Sequence, residues 1–140
     1  MIIAIDFDGT IVEHKYPDIG KEMLFAFETM KELQKQNHQL ILWTYRSGKE
    51  LDEAIEFCRE RGLEFYAVNK NYPEEECDER ISRKIQADVY IDDRNLGGFP
   101  GWSKVWQMLN PDASATGEEI RQVTRSTGQK KGLFSKIFSK

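Results

Sequence analysis

Two carboxylates, Asp6 and Asp8, stand two residues apart in the stretch Met-Ile-Ile-Ala-Ile-Asp-Phe-Asp-Gly-Thr-Ile of residues 1–11. Like charges held this close repel and desolvate each other unless a cation or a shared proton intervenes. The pair is therefore suited to holding a metal or to acid–base chemistry. Gly9 follows directly, where the backbone can turn sharply. A lone Asp-x-Asp is more often a turn or a helix cap, so the elements around it decide its meaning.

Those elements begin with Ile2, Ile3, Ala4 and Ile5, a short apolar run of the kind buried on both faces of a parallel sheet. Residues 12–20, with His14, Tyr16 and Pro17, show neither helical nor strand period and predict a loop or small flap over the end of that strand. Lys21–Gln36 predicts a helix, with Ala26, Met30 and Leu33 on one stripe and Asn37 as its stop. Leu40–Trp43 predicts a second strand closed by Thr44. Ser47 and Glu50 form a capping-box pattern ahead of a helix carrying Leu51, Ala54, Ile55 and Cys58, ended by Gly62. Phe65–Val68 predicts a third strand, 69–79 a loop, Val89–Ile91 a fourth strand ending in Asp92-Asp93, and Trp102–Leu109 a last helix.

Strands alternating with helices predict an α/β fold, a doubly wound, Rossmann-like parallel sheet. With the first strand central, strands two and three on one side and strand four on the other, ligands bind beyond the carboxyl ends at the switch between strands one and four. Asp6, Asp8, Asp92 and Asp93 then share one crevice, with Thr44 on its opposite flank. Four carboxylates with no nitrogen or sulfur ligand nearby favour a hard cation. Mg²⁺ is the default, because it takes few protein ligands and keeps waters for a phosphate.

Asp-Phe-Asp-Gly-Thr at 6–10 resembles the signature of the haloacid dehalogenase (HAD) superfamily of phosphohydrolases, a resemblance that extends over most of residues 1–110. It implies a Mg²⁺-dependent phosphomonoester hydrolase in which Asp6 attacks phosphorus to form an aspartyl-phosphate and Asp8, kept protonated by acidic neighbours, is the general acid/base. It implies metal binding by the Asp6 side chain, the Asp8 backbone carbonyl and the Asp92 side chain, with Asp93 behind; Asp93 as direct ligand and Asp92 as helper stays open. Gly9 and Thr10 of the motif, with Thr44, would meet the phosphate, and Lys84, ahead of strand four, would neutralise it; Lys70 is the competing lysine. Arg46, two residues after Thr44, would clamp a second anionic group of the substrate, or else pair with acidic surface. His14 and His38 read as solvated. Residues 87–94, Ala-Asp-Val-Tyr-Ile-Asp-Asp-Arg, also resemble the fourth motif of the 5′(3′)-deoxyribonucleotidase branch. The spans 11–40 and 69–87 are too short for a cap domain, so the resemblance implies a capless enzyme whose crevice is open to a large phosphorylated substrate or roofed by a neighbouring subunit of a homo-oligomer.

Two other classes are weighed against this. A receiver-like signalling domain would place its phospho-accepting Asp after strand three, where the chain has Val68-Asn69-Lys70. A non-catalytic metal- or phosphate-binding member of the same fold is the other.

The 140 residues predict one domain over 1–110 and a basic, flexible tail over 111–140. Residues 1–110 hold 14 Lys and Arg against 21 Asp and Glu, while 111–140 hold 6 against 3. An acidic body argues against a broad nucleic-acid surface but leaves room for a local phosphate site. In the tail, Leu133, Phe134, Ile137 and Phe138 share a helical face among lysines, the pattern of a weak membrane-surface or partner contact by residues 130–140, or simply of a disordered basic terminus. No apolar run approaches the roughly 20 residues of a membrane span. With no basic leader and with Cys58 and Cys77 unpaired in spacing, the expectation is a cytoplasmic protein with reduced thiols.

Overall fold

The computed structural model describes residues 1–114. In chain order the elements are β1 (Ile2–Ile5), α1 (Ala26–Lys35), β2 (Gln39–Leu42), α2 (Gly48–Glu60), β3 (Ala67–Val68), β4 (Val89–Ile91), α3 (Trp102–Leu109) and the single turn α4 (Pro111–Ser114). The strands form one parallel sheet in the order β3-β2-β1-β4. Over the described residues this is a small α/β, Rossmann-like sheet without a cap. The amphipathic stretch 130–140 lies outside the described residues, and no described helix is long and apolar enough to cross a membrane.

Alternation along the strands divides the core in two, because successive side chains point to opposite faces. Ile3, Ile5, Leu40, Leu42 and Ile91 face Phe27, Met30 and Leu33 of α1, Ala54 and Cys58 of α2, and Trp102, Val105 and Trp106 of α3. Each large apolar side chain fully buried there contributes roughly 1.5–3 kcal/mol. Ala4, Ile41 and Ala67 face the other way, onto Ile85, with Trp43, Ala87 and Tyr90 packed around them. The three longer helices thus gather on one face. The segment between β3 and β4, which has no regular structure, covers the second face where a doubly wound sheet would use a helix.

Helix α1 starts at Ala26, five residues later than the periodicity predicts. Residues 21–23 instead run back along the flap: Glu13 N–H donates to the Lys21 carbonyl at 2.7 Å and Met23 N–H to the Ile11 carbonyl at 2.8 Å. Gly20 permits that approach, since a Cβ there would fall 2.0 Å from the Glu13 carbonyl oxygen. Phe25, at φ 65°, then breaks any helical path from 21 to 26. At α2 the predicted capping box does not close: Ser47 is the N-cap residue in extended conformation, with no side-chain hydrogen bond. Gly62, at φ 78°, ends the helix as expected, with Leu63 N–H reaching the Cys58 carbonyl.

Candidate active site

Register places the first carboxylate. β1 and β4 pair Ile5 with Ile91, and Asp6 N–H continues the ladder to the Ile91 carbonyl at 2.9 Å. One step beyond that pairing, Asp6 and Asp92 leave adjacent strands at the same edge. Asp93 completes the group, and carboxylate oxygens from Asp6, Asp92 and Asp93 lie within 4.8 Å of one another. Gly9 makes room for the third member: at φ +81° it carries no side chain, and a Cβ there would sit 2.2 Å from Asp93 Oδ2. The motif loop is tied down from behind, with Gly9 N–H donating to the Val12 carbonyl at 2.7 Å and Trp102 Nε1 to the Thr10 carbonyl at 2.8 Å.

Among the described residues no cation pairs with any of these three carboxylates. Burial first, then the charge of Asp92 and the hydrogen bond and charge of Asp93, push the Asp6 carboxyl up to about 8; the Phe7 N–H opposes this in part. A carboxyl at the end of a central strand that is this costly to ionise is what a bound cation would relieve. Three oxygen donors without nitrogen or sulfur suit a hard ion, so the residues fit the Mg²⁺ implied by the resemblance.

Asp8 goes elsewhere. Its two oxygens accept from Arg46 Nε and Nη2, each at 2.8 Å, in a fork, and the Arg46 side chain is fully buried. The remaining donors are used as well. Nη2 also donates to the Asp18 carbonyl at 2.7 Å, and Nη1 to the carbonyls of Pro17 at 3.1 Å and Glu50 at 3.3 Å. The guanidinium carbon lies 5.0 Å from the Phe7 ring centroid and 5.2 Å from that of Tyr16. A guanidinium has five N–H donors, and all five are engaged here. Arg46 is therefore not the substrate clamp expected of it; of the two readings made from the sequence, the ion pair holds, but inside the loop cluster and not on the surface. The Asp8 side chain faces this cation and is not one of the clustered carboxylates.

The other expected site residues divide. Thr44 stands beyond β2, beside the crevice. Its N–H donates to Asn69 Oδ1 at 2.8 Å and its hydroxyl accepts from Arg46 N–H at 3.1 Å. Thr10 is fully buried, and its hydroxyl has no hydrogen-bond partner among the described residues, so its side chain does not present itself to a phosphate as expected. Lys84 holds its ammonium 5.1 Å from the Tyr90 ring centroid, beside the face of the sheet that lacks helices, and makes no ion pair among the described residues. Lys70 follows Asn69, the residue that fixes Thr44.

Asn69 itself is a site residue that pattern reading missed. The available signal is an Asn directly after an apolar strand: it tolerates the φ of 53° found here, and its short amide can reach the neighbouring loop.

A solved structure described as a conserved protein from Bacteroides thetaiotaomicron is 60% identical to this chain, with a TM-score of 0.76 over 80% of this chain and 91% of that one. No family model matches the chain, and no curated protein matches it.

Proposed function

This chain belongs to the same family as that conserved Bacteroides thetaiotaomicron protein, and we propose that its carboxylate crevice hydrolyses phosphomonoesters. One observation carries the reading: Asp6, Asp92 and Asp93 converge at the carboxyl edge of the sheet with no cation among the described residues to balance them. The sequence resemblance at 6–10 supplies the chemistry to go with it.

Asp92 and Asp93, with Asp6, would hold Mg²⁺, which when bound supplies charge neutralisation for the phosphoryl oxygens. The rest falls to the chain. An Asp6 carboxylate oxygen attacks phosphorus, the bond from phosphorus to the ester oxygen breaks, and the leaving alkoxide takes a proton from Asp8. Water then attacks phosphorus of the aspartyl-phosphate and gives its proton to the Asp8 carboxylate, releasing inorganic phosphate and restoring Asp6. Thr44, on the flank of the crevice, offers its hydroxyl proton to a phosphoryl oxygen, and Lys84 or Lys70 supplies a mobile positive charge. General acid–base catalysis accounts for roughly 10²–10⁴-fold of such a reaction, and charge stabilisation for much of the remainder.

The test is a phosphate-release screen over nucleotides, sugar phosphates and phosphoproteins, with Mg²⁺ and with chelator. Release that needs Mg²⁺ and disappears in Asp6→Asn supports the reading; release that survives in Asp6→Asn removes the nucleophile. A second reading, a phosphate-binding protein without turnover, draws on the Asp8 carboxylate being fully engaged by Arg46. Mg²⁺-dependent phosphate binding with no release from any ester would favour it.

A further inference from the structure

Arg46 is the most heavily committed side chain among the described residues. It is long, charged and fully buried, it joins the loop after β2 to three other places, and it touches the site only through Asp8. Burying a guanidinium is expensive unless every donor is satisfied. A lysine could hold the same charge but could not fork onto a carboxylate while also meeting three carbonyls.

We propose that Arg46 is the positioning residue for Asp8, fixing that group where it gives its proton to the leaving group and takes one back from the water attacking the aspartyl-phosphate. The assignment rests on the phosphatase reading above and adds a division of labour to it. The geometry favours a positioning role because both Asp8 oxygens are gripped in a fork by two parallel N–H···O bonds from one buried guanidinium. Three carbonyl contacts immobilise the guanidinium in turn. Those to Pro17 and Asp18 anchor it to the flap between β1 and α1, and that to Glu50 anchors it to the first turn of α2. The rings of Phe7 and Tyr16 flank it. Asp8 therefore has little freedom to swing away, and the ordering needed for proton transfer is present before substrate arrives. A bracing role for the flap alone would need the carbonyl contacts but would not need the fork on Asp8.

The experiment separates the two half-reactions in the full-length chain with saturating Mg²⁺. An aryl phosphate with a good leaving group needs no proton from Asp8 to form the aspartyl-phosphate, so only hydrolysis of the intermediate then depends on Asp8. In Arg46→Lys the initial release of aryloxide should stay near one per site while steady turnover falls about 10²-fold. Intact-mass analysis after acid quench should show the chain accumulating one phosphoryl group. Asp8→Asn should behave alike, and the double variant should be no slower than Asp8→Asn, because residues acting as one unit are not additive. In Arg46→Ala, guanidinium ion at concentrations too low to unfold the protein should restore part of the steady rate. A bracing role predicts otherwise: initial release and steady rate fall together, no phosphorylated chain builds up, and guanidinium does not help. That pattern, or an unchanged steady rate in Arg46→Lys, overturns the assignment while leaving the phosphatase intact. A wild-type chain that releases no phosphate from any ester removes the phosphatase and this assignment with it.

Discussion

Asp6 and Asp8 are separated by one residue and have opposite electrostatic surroundings. Among the described residues Asp6 meets two further carboxylates and no cation, and its carboxyl is pushed up to about 8. Asp8 meets a buried guanidinium that engages both its oxygens. Strand geometry explains the divergence. Asp6 is the residue that continues the β1–β4 ladder, so it emerges beside Asp92, whereas Asp8 emerges two residues later across the loop from Arg46. The difference teaches how one short loop can set a carboxylate with a built-in counter-charge beside one without. A carboxylate whose counter-charge is built into the chain is already compensated, while Asp6, in a semi-buried place, has no compensating cation among the described residues.

The comparison is broken or sharpened by substitution at its two poles. The largest effect is on turnover: Asp6→Asn should lower Mg²⁺-dependent phosphate release by on the order of 10³-fold or more, since an amide is no nucleophile here. The next is a contrast in stability, read from urea unfolding at pH 8 in chelator. Asp8→Ala strands the Arg46 charge and should cost about 3–5 kcal/mol. Asp6→Asn should raise the midpoint, because it removes the carboxylate that repels its neighbours. Equal signs at the two positions would dissolve the distinction.

A smaller effect should appear with pH. Between the ordinary carboxylate range and about 8 the folded chain holds a proton on Asp6 that the unfolded chain has lost. The folded state then binds more protons, so stability in chelator should decline as pH rises across that window and be greatest at its acid end. At pH 8, Mg²⁺ at a hundred times its dissociation constant should restore about 2.7 kcal/mol, measurable as a shift in melting temperature; no shift would show that the carboxylates do not hold the ion. The smallest expected change is in Gly9→Ala. It forces Ala to a left-handed φ at about 1–2 kcal/mol and pushes Asp93 from its place. Its useful readout is a weaker Mg²⁺-induced shift, with the chain still folded.

Much of this arrangement was legible before any coordinates. Apolar runs at 2–5, 40–43 and 89–91 are dense enough in β-branched and large aliphatic residues to reveal three strands, and a central first strand is sufficient to bring Asp6 beside Asp92. Arg46 was harder, for a physical reason: three of its five hydrogen bonds go to backbone carbonyls of Pro17, Asp18 and Glu50, and a carbonyl leaves no mark on residue identity. The start of α1 was misjudged because the stripe from Met23 onward looks continuous, while the left-handed Phe25 that interrupts it lacks the usual Gly or Asn signal. Ser47 and Glu50 have the spacing of a reciprocal cap, yet the hydrogen bond from Arg46 Nη1 to the Glu50 carbonyl ties this turn to the loop cluster as well as to its own helix.

The position of β1 in the middle of the sheet also bears on how the chain folds. Its Ile3 pairs with Leu40 on one side and with Val89 on the other, so the last ladder it needs joins the two most distant strands in sequence. Closing so long a loop is entropically slow. The same closure brings Asp6 beside Asp92, so their mutual repulsion is met only when that long-range ladder forms.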